Sequence, residues 1–210
     1  MGATTRQQGR AQQTRKELID AAIERLAKGG QSVNFDGIAG DVGLTKGALY
    51  HHFGSVNGLV EEVYKEAVRR HAAQVIEASR QGTGGERLMH LVRVSSDLYG
   101  SGTPFYRLLL RLHVEAGASR PELAEIALRV QRREREYITS LVEDGQADGS
   151  IRDDVEASAM GETVNAALQG FLVKQLEPPQ VQKGAADSFA TLLEQLIIVA
   201  PGAAIGKATA

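Results

Sequence analysis

NFDGIAGDVGLTKGALYHHF, residues 34–53, sets two very short apolar-periodic segments on either side of one glycine. Phe35, Ile38, Ala39 and Val42 line one face of the first, with Asn34 placed to cap it. Thr45 stands where it can cap the second, which turns Leu49 and Phe53 inward before Gly54. A brace helix, a glycine turn and a second helix of two turns form the arrangement by which a helix is presented to a DNA groove. Gly43 is expected at the sharp turn, where a side chain would also crowd the neighbouring helix. The second segment exposes groups suited to phosphates and base edges. The Thr45 hydroxyl and Lys46 ammonium meet phosphate or a base, and Gly47 lets the backbone approach. Tyr50 combines a packing ring with a hydroxyl, and His51 and His52 point to different sides of the helix.

Outward from this segment, nearly all periodicity is helical. Leu18, Ile19, Ala22, Ile23 and Leu26 precede the Gly29-Gly30 stop. Ser55 caps a long helix through Leu59, Val63 and Ala67 towards Ile76. A fifth helix follows the glycines at 82, 84 and 85 and closes at Gly100 and Gly102. Pro104 and Pro121 open the sixth and seventh. An eighth starts near Asp153 or Asp154 and ends at Pro178-Pro179, and a ninth covers about Gln180 to Val199. The expectation is an all-α chain of about nine helices. A flexible basic arm (1–14) precedes a three-helix head (15–54), a helical regulatory and dimerisation body (55–200) and a flexible tail (201–210).

Charge agrees with that division. The formal net charge is -2, yet residues 1–53 hold seven Lys/Arg against five Asp/Glu, and the remainder seventeen against twenty-one. Arg6 and Arg10 make the arm a second candidate for DNA contact beside an acidic body. Arg129, Arg132, Arg133 and Arg135 alternate with Glu134 and Glu136, the pattern of a solvated, ion-paired face. The chain has no cysteine, which excludes disulfides and thiolate chemistry. With no long apolar run and no secretory h-region, the expectation is a cytoplasmic protein without a membrane partner. Gly-x-Ser-x-Gly, P-loop, dinucleotide-loop and His-Glu-x-x-His motifs are absent, so no catalytic residue, metal ligand or cofactor is assigned. A helical metal-dependent enzyme stands as the remote alternative, requiring scattered histidines and carboxylates to converge.

Residues 34–53 resemble the DNA-binding head of the TetR family of transcriptional repressors. The resemblance rests on Ile38-Ala39, Gly43, the run Thr45-Lys46-Gly47-Ala48-Leu49-Tyr50 and the end His51-His52-Phe53, and it is strong over about residues 15–64. It implies a homodimer that binds a palindromic, double-stranded operator and usually represses transcription. It places the residues matching Thr45, Lys46, Gly47, Tyr50, His51 and His52 on or beside the recognition helix, and gives Asn34 a phosphate contact. Val56 departs from the family, which commonly has lysine there, and removes a customary phosphate anchor.

The resemblance also implies a small-molecule effector between the fourth and eighth helices. His90, Ser95, Tyr99, Tyr106, His113, Tyr137, Asn165 and Gln169 are the candidate contacts, set among Leu and Val that suit a largely apolar or amphipathic ligand. Two closing stripes are candidates for the dimer interface, Met160, Val164, Leu168 and Phe171, then Phe189, Leu192, Leu193, Leu196 and Ile197. One short recognition helix reads few base pairs, and a two-fold pair reads two half-sites. An activator or architectural DNA binder without an effector is the alternative within the same fold.

Overall fold

The computed structural model describes residues 2–29, 34–174 and 179–199. Among them the chain forms nine α-helices and no strand beyond one isolated Ile151–Ile198 bridge. The helices are α1 (Gly2–Ala27), α2 (Phe35–Asp41), α3 (Lys46–Phe53), α4 (Val56–Ala78), α5 (Gly84–Gly100), α6 (Pro104–Ala118), α7 (Pro121–Asp148), α8 (Ala157–Val173) and α9 (Pro179–Ile197). The all-α expectation holds. Residues 201–210, expected as a tail, and the Pro178 stop lie outside the described residues.

Two departures concern the first 54 residues. The helix expected near Arg15 starts at Gly2, so the segment expected as an arm continues α1. Its Gln, Arg and Ala content favours helix without any apolar stripe, which is why periodicity gave no sign of it. The chain also divides into two compact units, residues 1–71 with 103–130 and residues 72–102 with 131–210. The three head helices therefore share their unit with the first part of α4, with α6 and with the start of α7.

In the first unit, Leu18, Ala22, Ile38, Leu49, Leu59, Val63 and Leu112 are essentially inaccessible to water. Buried leucine stripes of this kind contribute roughly 25 cal/mol per Å² of apolar surface removed from water. Arg111 of α6 donates to the Leu26 carbonyl at the end of α1, satisfying one of the acceptors that a helix terminus leaves open. The second unit has its own core around Leu88, Val92, Leu141, Val142, Ile151 and Val164. There the glycines at 84 and 145 let α5 touch α7 backbone to backbone. A Cβ on Gly84 would stand 2.0 Å from the Gly145 nitrogen. Gly161 performs the same service for α8, since its Cβ would meet Thr139 Oγ1 at 2.4 Å. α5 opens on a capping box between Thr83 and Glu86, and α9 is fastened at its end by Arg152 N–H to the Ile197 carbonyl.

Candidate nucleic-acid interface

Each local feature of the α2–turn–α3 segment has a physical cause. The Asn34 side chain accepts from Gly37 N–H at 3.2 Å and caps α2. α2 ends as Leu44 N–H returns to the Ala39 carbonyl at 2.8 Å. Gly43 adopts φ +68°, the left-handed region where a side chain costs about 1–2 kcal/mol. An added Cβ there meets nothing within 4 Å. The expected crowding at Gly43 is therefore corrected: backbone conformation alone calls for glycine. Crowding occurs instead at Gly37, where a Cβ would lie 2.7 Å from the Arg25 guanidinium. That guanidinium crosses α2 to hold Asp41 through two 2.8 Å hydrogen bonds, and the pairing keeps the Asp41 carboxyl below its ordinary range. The glycine that weakens α2 leaves room for the clamp from α1 that fixes it.

The turn from α3 into α4 is equally constrained. Gly54 takes φ +72°, Ser55 Oγ accepts from Gly58 N–H at 3.0 Å, and a Cβ on Gly58 would collide with the Phe53 carbonyl at 2.2 Å. The expected Ser55 cap is present. Thr45 takes the N-cap position of α3 as expected, but its side chain makes no capping hydrogen bond and the residue is exposed.

α3 buries Leu49 and turns a polar face outward. Thr45, Lys46, Gly47, Tyr50 and His51 are exposed. The Tyr50 ring packs on Phe35 with centroids 4.9 Å apart, yet the residue keeps 46% of its surface, enough to leave the hydroxyl outward. The two histidines differ. His51 is exposed, whereas His52 is half-buried, and burial, His51 and Arg15 together lower its pKa. Arg15 lies over the Phe53 ring at 5.2 Å and pairs with Glu62 at 2.6 Å. Arg10 is exposed on α1, while the side chain of Arg6 lies outside the described residues.

The candidate effector residues separate. Tyr106 and His113, on α6, engage α4 in the first unit: His71 Nδ1 is 3.4 Å from the Tyr106 hydroxyl, and Tyr64 hydroxyl 3.4 Å from His113 Nδ1. Burial drives His71 down to about 4 and Tyr106 up to about 12, so both are neutral. Ser95, Tyr99 and Asn165 are buried in the second unit, where Tyr137 hydroxyl meets Ser79 Oγ at 2.9 Å and Gln169 is half-buried. His90 is exposed and is withdrawn from the set: one position from Met89 on α5, it faces water.

Three residues were missed. Ser96 is 2% exposed and its Oγ has no hydrogen-bond partner among the described residues. Glu134 is the half-buried member of the otherwise exposed Arg-rich run on α7, and desolvation lifts its carboxyl to about 7. His71 had a sequence signal, since it continues the Leu59, Val63, Ala67 stripe at intervals of four.

On α8 and α9 the expected stripes split. Met160, Val164, Leu168, Leu193 and Ile197 are buried within the unit, and Phe171 and Phe189 stack at 5.4 Å. Leu192 and Leu196 remain 56% and 63% exposed, one helical turn apart. Among the described residues no group of three potential metal ligands forms, and no helix is long and apolar enough to cross a membrane.

Two family models match the chain. Residues 18–63 match the model of bacterial regulatory proteins of the tetR family, and residues 84–197 match that of the BetI-type transcriptional repressor C-terminal region. The HTH-type transcriptional repressor AcnR of Corynebacterium jeikeium is 28% identical over 132 residues, 62% of this chain. That match spans 64% of AcnR, less than two thirds of its length. Among solved structures, a TetR transcriptional regulator from Chloroflexus aurantiacus aligns with TM-score 0.75 at 23% identity, over 91% of this chain and 99% of the other. A transcriptional regulator from Saccharomonospora viridis in complex with choline aligns with TM-score 0.74 at 18% identity, over 90% and 100%. At such identities the structural likeness speaks for the fold.

Proposed function

The chain belongs to the tetR family of bacterial regulatory proteins, and we propose that it is a homodimeric, ligand-responsive repressor whose α3 helices enter successive major grooves of a palindromic operator. The observation that carries this reading is the polar outer face of α3, braced from behind by buried Leu49, Ile38 and Ala39. In this reading Lys46 and the Tyr50 and Thr45 hydroxyls hold phosphates or base edges, Gly47 admits the backbone, and Asn34 adds a phosphate contact beside its cap. His51, the exposed histidine, reads a base, and His52 supports α3 from the side. Arg10 stands in for the anchor that Val56 does not supply. Exposed Leu192 and Leu196 on α9, beside the Phe171–Phe189 pair, are the proposed centre of the dimer interface. Two recognition helices then need a separation of about 34–36 Å.

Effector binding is assigned to the body, with Ser95, Tyr99, Tyr137, Asn165 and Gln169 as contacts and Ser96 and Glu134 added to them. Among the described residues the Ser96 hydroxyl has no hydrogen-bond partner and the Glu134 carboxylate has no ion-pair partner, and desolvation raises the Glu134 carboxyl. Both suit an amphipathic ligand with a polar or cationic end, and a relative of the same fold is described in complex with choline. Such a ligand releases DNA by favouring a spacing of the two heads that the operator does not fit. Selecting bound fragments from the source genome with the purified protein tests the DNA reading. Enrichment of an inverted repeat supports it, and recovery of random fragments removes it.

A further inference from the structure

Lys46 is the fixed cation of α3, and it is already engaged within the chain. Its Nζ lies 3.2 Å from Asp36 Oδ2 on α2, ten residues back across the Gly43 turn. Both side chains stay open to water, 50% and 69% exposed, so burial does not lock the pair. The same neutralisation runs through the surrounding unit. Every Lys and Arg from Arg15 to Arg70 has a carboxylate within ion-pair distance. Arg15 takes Glu62, Lys16 takes Asp20, Arg25 takes Asp41, and Lys28 takes Glu24. On α4, Lys65 pairs with Glu61 and Glu62, Arg69 with Glu66, and Arg70 with Asp20 and Glu66. The α3 face therefore holds no spare fixed cation. DNA gains Lys46 by taking it from Asp36, and a carboxylate is then left beside the duplex.

We infer that Asp36 is a built-in competitor for Lys46, so that operator binding is an exchange of the Asp36 carboxylate for a phosphate or a guanine edge and Asp36 holds affinity below what the α3 face would otherwise reach. This rests on the reading of α3 as the DNA-facing helix. Asp36 is a positioning residue acting through Lys46. Its effect matches the worth of an exposed ion pair together with the repulsion between the freed carboxylate and DNA. A lowered ceiling on affinity also reduces the free-energy difference an effector must supply to empty the operator.

The test is a double-mutant cycle on the selected operator at fixed salt, with wild type, Asp36→Asn, Lys46→Ala and the double variant, and Asp36→Ser as a second removal of the carboxylate. Circular dichroism melting verifies that each is folded. Asp36→Asn and Asp36→Ser tighten the operator about two- to fivefold. In the Lys46→Ala background most of that gain disappears. An equal gain in both backgrounds reduces Asp36 to a bulk negative charge and overturns the inference while α3 keeps its role. Weaker binding by folded Asp36→Asn and Asp36→Ser also overturns it. If Lys46→Ala leaves affinity unchanged, the reading of the α3 face fails, and the inference fails with it.

Discussion

The α2–α3 face and the interior of the second unit handle polar groups in opposite ways. Around α3 the fixed charges are paired and open to water, on both sides at Lys46–Asp36 and Arg25–Asp41 and in part at Arg15–Glu62, so that water or DNA can replace the partner at little cost. In the second unit, Ser96 Oγ is buried with no hydrogen-bond partner among the described residues, and half-buried Glu134 is desolvated enough to lift its carboxyl to about 7. An unmet buried polar group costs about 1–3 kcal/mol. The first arrangement suits reversible exchange with a polyanion. The second leaves a debt that a bound molecule with matching groups would cancel.

The largest expected effect is on the DNA face. Tyr50→Ala, which removes the ring from Phe35 and with it the hydroxyl, weakens operator binding on the order of tenfold to a hundredfold and leaves the proposed dimer unchanged by sedimentation. If folded Tyr50→Ala binds as wild type does, the comparison loses its first half. Next is Gly84→Ala in the body, which drives a methyl into the Gly145 backbone and lowers stability by about 3 kcal/mol in denaturant unfolding.

Two desolvated titrating groups, half-buried Glu134 and buried His71, sharpen the comparison because their signs differ. Glu134 has a folded pKa of about 7, above its ordinary value of 4.5, so the native state binds the proton more tightly. Its contribution is complete below about pH 4.5 and is lost as pH rises through about 7. Glu134→Gln removes that fall, worth on the order of 1–3 kcal/mol, from the stability profile. A profile unchanged by the substitution means that Glu134 is solvated and the body carries no such debt. His71 is depressed to about 4, so its contribution is present above pH 6.5 and lost as pH falls towards 4. A polar, uncharged substitution there flattens the acid limb instead.

The smallest effects separate three glycines of the head. Gly40→Ala raises stability by roughly 0.5–1 kcal/mol, since its Cβ would meet nothing. Gly43→Ala lowers it by about 1–2 kcal/mol through the positive φ. Gly37→Ala forfeits its helix-propensity gain by displacing Arg25. Thermal melts of the three place them in the order 40, 37, 43.

These glycines also illustrate what can be read from a sequence. The helical period, the prolines at the starts of α6 and α7 and the caps at Asn34 and Ser55 are local features, and they were legible. Gly37 looks like a defect until Arg25, twelve residues earlier, is seen crossing it. The Lys46–Asp36 pair spans a turn whose geometry no periodicity specifies. On α5, each step of one residue rotates the side chain by about 100°, so exposed His90 and buried Leu91 are neighbours in sequence and face different surroundings. Ser96 and Glu134 were missed because a polar letter inside a helix says nothing about what faces it. The start of α1 at Gly2 was missed because a solvated helix needs no stripe.

A scan of operator affinity against every single base-pair change, with wild type and His51→Ala side by side, tests the central claim most directly. The outward face of α3 predicts that His51→Ala loses base preference at one position in each half-site, symmetrically about the dyad, by about 1–3 kcal/mol per site. Identical preference profiles for the two proteins, or loss at positions unrelated by the dyad, would contradict it.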